Sequence, residues 1–93
     1  MNVKESAVEK RLRLAVIAKG GRVYKFISSE AGVPDRIVLH NKKAMFVETK
    51  RPVGGEVSRI QRWQHSELAK QGFEVWVLST YDEVDAFVKG LDL

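Results

Sequence analysis

The stretch from Gly32 to Lys50, GVPDRIVLHNKKAMFVETK, constrains the fold more than any other part of the chain. Ile37-Val38-Leu39 and Met45-Phe46-Val47 are β-branched and aromatic runs of strand character, and the polar pair Asn41-Lys42 lies between them, so a β-hairpin follows. A two-residue loop at Asn41-Lys42 pairs His40 with Lys43, Leu39 with Ala44, Ile37 with Phe46 and Asp35 with Glu48. Alternation then places Asp35, Ile37 and Leu39 on one face with Ala44, Phe46, Glu48 and Lys50. Two carboxylates and an ammonium meet at one end of that face.

Directly opposed hairpin residues hold their Cβ atoms about 5 Å apart, and like charges there destabilise a sheet. At an effective dielectric of roughly 20 the repulsion between such a pair is about 3 kcal/mol before salt screening. A hard divalent cation offsets it, because Mg²⁺ and Mn²⁺ prefer carboxylate oxygens and are held by one or two of them plus water and substrate phosphate. The expectation is a metal-free protein strained at this point and relieved by Asp35→Asn. Spacing alone leaves a plainer alternative open, in which Asp35 only shapes the turn after Pro34 and Glu48 is a strand residue paired with Lys50.

Pro34-Asp35 followed by Glu48-Thr49-Lys50 on the next strand resembles the PD-(D/E)XK nuclease motif. With Gly32-Val33-Pro34-Asp35-Arg36, a glutamate-bearing first helix and a glutamine in the helix after the hairpin, nearly the whole chain resembles the VRR-NUC family, stand-alone viral members included. The resemblance implies a restriction-endonuclease-like core and a metal-dependent DNA endonuclease. It implies that Asp35, Glu48 and the backbone carbonyl of Thr49 hold Mg²⁺ or Mn²⁺, which polarises the scissile phosphate and acidifies a water. Lys50 then orients or deprotonates that water, or neutralises charge on the phosphorane; neighbouring carboxylates favour a charged lysine and hence the electrostatic role. A glutamate from the first helix supports the metal site, Glu9 ahead of Glu5, and Gln61 matches the family's glutamine. Family members include enzymes that prefer branched DNA such as Holliday junctions and domains of DNA-repair nucleases. For so small a chain, two symmetric incisions imply a homodimer. The alternative is a non-catalytic nucleic-acid-binding or assembly module of the same fold, and a third is a structural partner protein.

The rest of the chain is consistent with one domain over residues 1–93, 44% hydrophobic and without cysteine, which excludes disulfides, thiolate zinc sites and a cysteine nucleophile. The N-terminus lacks an apolar secretory core, and no apolar run approaches the roughly 18 residues of a membrane span. A cytoplasmic, intracellular protein is expected. Sixteen basic against twelve acidic residues give +4, and Asp82, Glu83, Asp85 and Asp92 are concentrated in the last thirteen residues, so the basic excess lies with the motif. Lys10, Arg11, Lys42, Lys43, Arg51, Arg59 and Arg62 are candidates for DNA phosphate contacts, and a solvated basic surface is the bland alternative.

Val8, Leu12, Ala15 and Val16 recur at helical spacing from about Lys4 to Lys19, before Gly20-Gly21. Arg22–Ile27 reads as a strand. Arg51–Glu56 reads as a loop. Ser58 starts a helix to about Gln71 with Ile60, Trp63 and Leu68 inward, and Gln61 and Gln64 bordering that face. Phe73–Ser79 is near-continuously apolar, as a central strand covered on both faces would be, and a last helix starts at Thr80 or Tyr81. His40 and His65 read as surface or packing residues. The order αβββαβα predicts an α/β fold with a mixed β-sheet flanked by helices.

Overall fold

The computed structural model describes residues 3–92. Its elements run α1 (Glu5–Ala18), β1 (Arg22–Lys25), β2 (Arg36–His40), β3 (Lys43–Thr49), α2 (Arg59–Lys70), β4 (Val75–Leu78) and α3 (Tyr81–Gly90), in the expected order. The four strands form one mixed sheet in the order β1-β2-β3-β4, antiparallel except for the parallel pair β3 and β4.

The hairpin register follows from its turn. Asn41 and Lys42 have φ of 49° and 64°, both left-handed as a two-residue type I′ turn requires. His40 therefore pairs with Lys43, Leu39 with Ala44 and Ile37 with Phe46. Asp35 and Glu48 lie one step past the last rung, Arg36–Val47, while the Asp35 carbonyl accepts the Phe26 N–H at 2.9 Å from the β1 side.

One face of this sheet carries the core. Val8, Leu12 and Val16 of α1 and Val84, Phe87 and Val88 of α3 pack on Val38, Met45, Val47 and Leu78, all buried. Their spacing of three and four residues along each helix makes one apolar stripe. Gly21 lets α1 turn tightly into β1, since a Cβ there would come within 2.7 Å of the Leu39 carbonyl oxygen. Both later helices start on capping boxes, Ser58 with Gln61 and Thr80 with Glu83.

Three expectations need correction. β4 is an edge strand rather than a central one, and Phe73 and Trp76 remain 45% and 41% exposed. Its apolar run serves edge-on aromatic contacts instead, Phe73 with Phe46 at 6.0 Å and Trp76 with Phe87 at 5.3 Å. β1 ends at Lys25, leaving Ile27 exposed in the following loop. The face of α2 is also rotated: Ile60 and Trp63 are 46% and 52% exposed, and Gln64 is the helix's buried residue, with Gln61, His65 and Leu68 half-buried beside it. The inward stripe is polar because it covers a charged end of the sheet.

Candidate active site

That charged end is where β2 begins and β3 finishes. Among the described residues the buried polar or charged side chains are Arg36, Glu48, Thr49 and Gln64. Three belong to these strand ends and the fourth to the helix above them. Burying such groups is unfavourable unless they are paired, so their clustering marks a built polar site rather than a packing defect.

Arg36 lies on the core face by strand alternation, and its guanidinium reaches around the strand end. Nη1 donates to Asp35 Oδ1 at 2.6 Å and Nη2 donates to Glu9 Oε1. Arg36 thus supplies a positive charge beside the opposed carboxylates, in addition to Lys50 and to the divalent cation expected to offset their repulsion. The repulsion expected between Asp35 and Glu48 persists, and Arg36 offsets part of it. Arg36 was missed as a site residue, although the signal was present: an arginine at a core-facing strand position, directly after an acid, needs an ion-pair partner. Glu9, preferred from the sequence as the supporting helix carboxylate, is held by Arg36. The exposed Glu5 is the α1 carboxylate whose charge reaches Glu48.

Glu48 is the electrostatic centre. Burial pushes its carboxyl up from 4.5 to about 7; Lys50 opposes the rise, Asp35 and Glu5 add to it, and Arg36 opposes it. A carboxylate penalised by burial and by two neighbouring acids is one whose charged form gains from an added cation. Lys50, half-buried on the same strand face, supplies one positive charge there. His65 reaches the site from α2, its Nε2 4.0 Å from Glu48 Oε1. Burial and the charge of Lys50 both lower its pKa, which favours the neutral ring. The sequence reading of His65 as a surface or packing residue missed this, because only the rotated phase of α2 brings it to Glu48.

Gln61, the match to the family's glutamine, has its side chain at the start of α2. Its Oε1 accepts the Ser58 N–H at 2.9 Å while its own N–H donates to Ser58 Oγ at 3.2 Å, so the side chain caps α2. Gln64 is the amide that reaches inward, donating from Nε2 to the Ala31 carbonyl at 3.2 Å. This ties α2 to the loop that delivers Pro34 and Asp35. Gly32 completes the contact: at φ 86° it passes so close to Ile60 that a Cβ would sit 2.9 Å from that residue's backbone. The Thr49 side chain is fully buried, on the alternate face from Glu48 and Lys50. Continuing the hairpin register places Pro34 opposite Thr49, and proline has no N–H to give the Thr49 carbonyl.

The basic candidates separate. Arg59 and Arg62 lie exposed on α2, and Arg51 folds over the Gly54-Gly55 loop that leaves Lys50. Lys42 and Lys43 sit at the hairpin turn, at the opposite end of β3 and about 17 Å along the strand from Glu48. Arg11 is engaged by Asp85 through two hydrogen bonds of 2.9 and 2.8 Å and lies over the Tyr81 ring, while Lys10 is exposed beside it on α1.

The donor set suits a hard divalent cation. Among the described residues no three His, Cys, Asp or Glu side chains converge, so the protein offers two carboxylates and backbone oxygen rather than a closed cage. Mg²⁺ is usually held this way, with water and phosphate oxygens completing the shell. Asp35 Oδ1 is occupied by Arg36, and Oδ2 has no hydrogen-bond partner among the described residues. Also among those residues, no helix is long and apolar enough to cross a membrane.

No family model matches the chain. The chain is 42% identical over 82 residues to "Putative nuclease p44" of Acyrthosiphon pisum secondary endosymbiont phage 1, an alignment covering 86% of this chain and 87% of that protein. A solved structure described as a VRR_NUC domain superposes with a TM-score of 0.84 at 27% identity, covering 94% of this chain and 97% of the other. A second, a VRR_NUC domain protein, matches with a TM-score of 0.72 at 17% identity, covering 98% and 89%, which bears on the fold alone.

Proposed function

Because this chain belongs to the VRR-NUC family of nucleases, we propose that it is a metal-dependent endodeoxyribonuclease whose active site is the Asp35, Glu48 and Lys50 cluster. The observation that carries the proposal is Glu48: a buried carboxylate one step past the last hairpin rung, opposite Asp35, with Lys50 on the same strand face. Asp35, Glu48 and the Thr49 carbonyl would hold Mg²⁺ or Mn²⁺, which when bound polarises the scissile phosphate and makes a water more acidic. Lys50 would stabilise charge that develops on the phosphate. Arg36 holds Asp35 from behind and Glu9 holds Arg36, so Glu9 acts on the site at one remove. Gln61 and Gln64 fix α2 and its loop over the site. Arg51, Arg59 and Arg62 are the phosphate contacts for the flanking DNA.

Branched DNA such as a Holliday junction is the proposed substrate, cut by a homodimer, because paired incisions need two centres. The unpaired outer edge of β4, with exposed Trp76, supports association of two copies. Nicking of plasmid and of four-way junctions with Mg²⁺ or Mn²⁺, and its loss in EDTA and in Glu48→Gln, tests the reading. Cutting that survives chelation or Glu48→Gln refutes it. A monomer by light scattering that cuts linear and branched duplexes equally removes the junction and dimer proposals while leaving the nuclease.

A further inference from the structure

Two buried side-chain atoms among the described residues make no hydrogen bond, Thr49 Oγ1 and His65 Nε2. Thr49 Oγ1 lies on the α1 face, away from Glu48. His65 Nε2 is 4.0 Å from Glu48 Oε1, with the two side chains only 16% and 10% exposed. A buried polar atom left unpaired forfeits its hydration, so a small rearrangement that brings it a partner is favourable. Neutral or protonated, the ring carries at least one N–H. Glu48 Oε1, 4.0 Å from Nε2, is an acceptor that can use it.

We propose that His65 is a positioning residue for Glu48: its Nε2–H donates to the Glu48 carboxylate and holds that group in the orientation that receives the divalent cation. This rests on the metal-dependent reading above. A gap of 4.0 Å is longer than a hydrogen bond, and a shift of about 1 Å closes it, within the reach of a small Glu48 side-chain rotation. The helix supporting the ring is well anchored, capped at Ser58 and tied to Ala31 through Gln64. Donors to metal-binding carboxylates fix their orientation, and removing one weakens metal affinity by about 10- to 100-fold.

The test is Mn²⁺ titration by calorimetry on the full chain without DNA, comparing the parent with His65→Leu and His65→Gln. Leucine keeps apolar bulk and loses the donor, whereas the glutamine amide reaches the Nε2 position. His65→Leu is expected to weaken Mn²⁺ binding about tenfold or more, with His65→Gln within about threefold of the parent. His65→Leu binding as tightly as the parent overturns the proposal, and so do equal losses in both variants, which would make the effect one of packing. If His65→Leu does not fold, His65→Asn replaces it: its shorter amide reaches the Nδ1 position and must lose affinity where Gln keeps it. Nitrogen NMR of the metal-free parent gives an independent readout, with the Nε2–H tautomer expected and the Nδ1–H tautomer contradicting the assignment. A parent that binds no Mn²⁺ fails the metal reading itself. A parent that binds while His65→Leu matches it fails only the role of His65.

Discussion

The face of the sheet under α1 and α3 and the face under α2 are built from the same strands by alternation, yet they carry opposite kinds of residue. The first buries Val8, Leu12, Val16, Val38, Met45, Val47, Leu78, Val84, Phe87 and Val88 as one apolar cluster, with the charged Arg36 only at its end. The second presents Phe46 and Phe26 edge-on at 6.5 Å and then Glu48 and Lys50, under a helix whose inward stripe is Gln61, Gln64, His65 and Leu68. The apolar face carries the buried core, while the other keeps the Glu48 carboxyl, whose charged form burial disfavours. A chain of 93 residues thus keeps its apolar core and its proposed active site on opposite faces of one sheet.

The comparison is sharpest if substitutions on the two faces fail in different ways. Glu48→Gln is expected to lower nicking on the order of 10³-fold, equivalent to about 4 kcal/mol of transition-state stabilisation, while thermal unfolding still shows a cooperative transition. Leu12→Ala, on the opposite face, should cost about 3 kcal/mol of stability by leaving a cavity under α1. Below its lowered Tm it should keep the parent's turnover per folded molecule. If Leu12→Ala destroyed turnover without unfolding, the two faces would not be separable.

The pH dependence of the metal-free protein probes the α2 face alone. Glu48 is raised from 4.5 to about 7, so the folded state favours its protonated form. That contribution is fully present below pH 4.5 and is lost as pH rises through 7, an upper bound of about 3 kcal/mol. Tm should therefore fall across this window, and Glu48→Gln should flatten the fall. Added Mg²⁺ should raise the parent's Tm more at pH 8 than at pH 6, since binding requires the deprotonated carboxylate. An identical Mg²⁺ gain at both pH values would show that Glu48 is not a ligand.

Smaller effects test the pairing around Arg36. Asp35→Asn loses an ion pair with Arg36 and relieves repulsion toward Glu48, so the two changes offset and Tm should move by no more than about 1 kcal/mol equivalent, in EDTA. Cleavage should still be abolished. A large rise in Tm would mean that Arg36 does not neutralise Asp35. The smallest expected effect is on DNA affinity in Ca²⁺: Arg62→Ala should weaken it by a fewfold and reduce its salt dependence, while Lys42→Ala at the far hairpin turn should leave both unchanged.

What the sequence determined by itself was whatever depends on neighbours along the chain. The Asn41-Lys42 turn set the hairpin register, and that register brought Asp35, Glu48 and Lys50 to one strand end. The 3.6-residue period of Val8, Leu12 and Val16 set the buried stripe of α1. The Ser58 and Thr80 caps set where α2 and α3 begin. The tertiary structure decided what depends on residues far apart in the chain: the edge position of β4, the face α2 turns inward, the grip of Arg36 on Glu9 and the approach of His65 to Glu48. The physical reason is that periodicity gives a helix its stripe but not its phase against a charged surface. Gln64 was buried in preference to Trp63 because Ala31 offered its amide a partner, and that carbonyl comes from a loop 33 residues away.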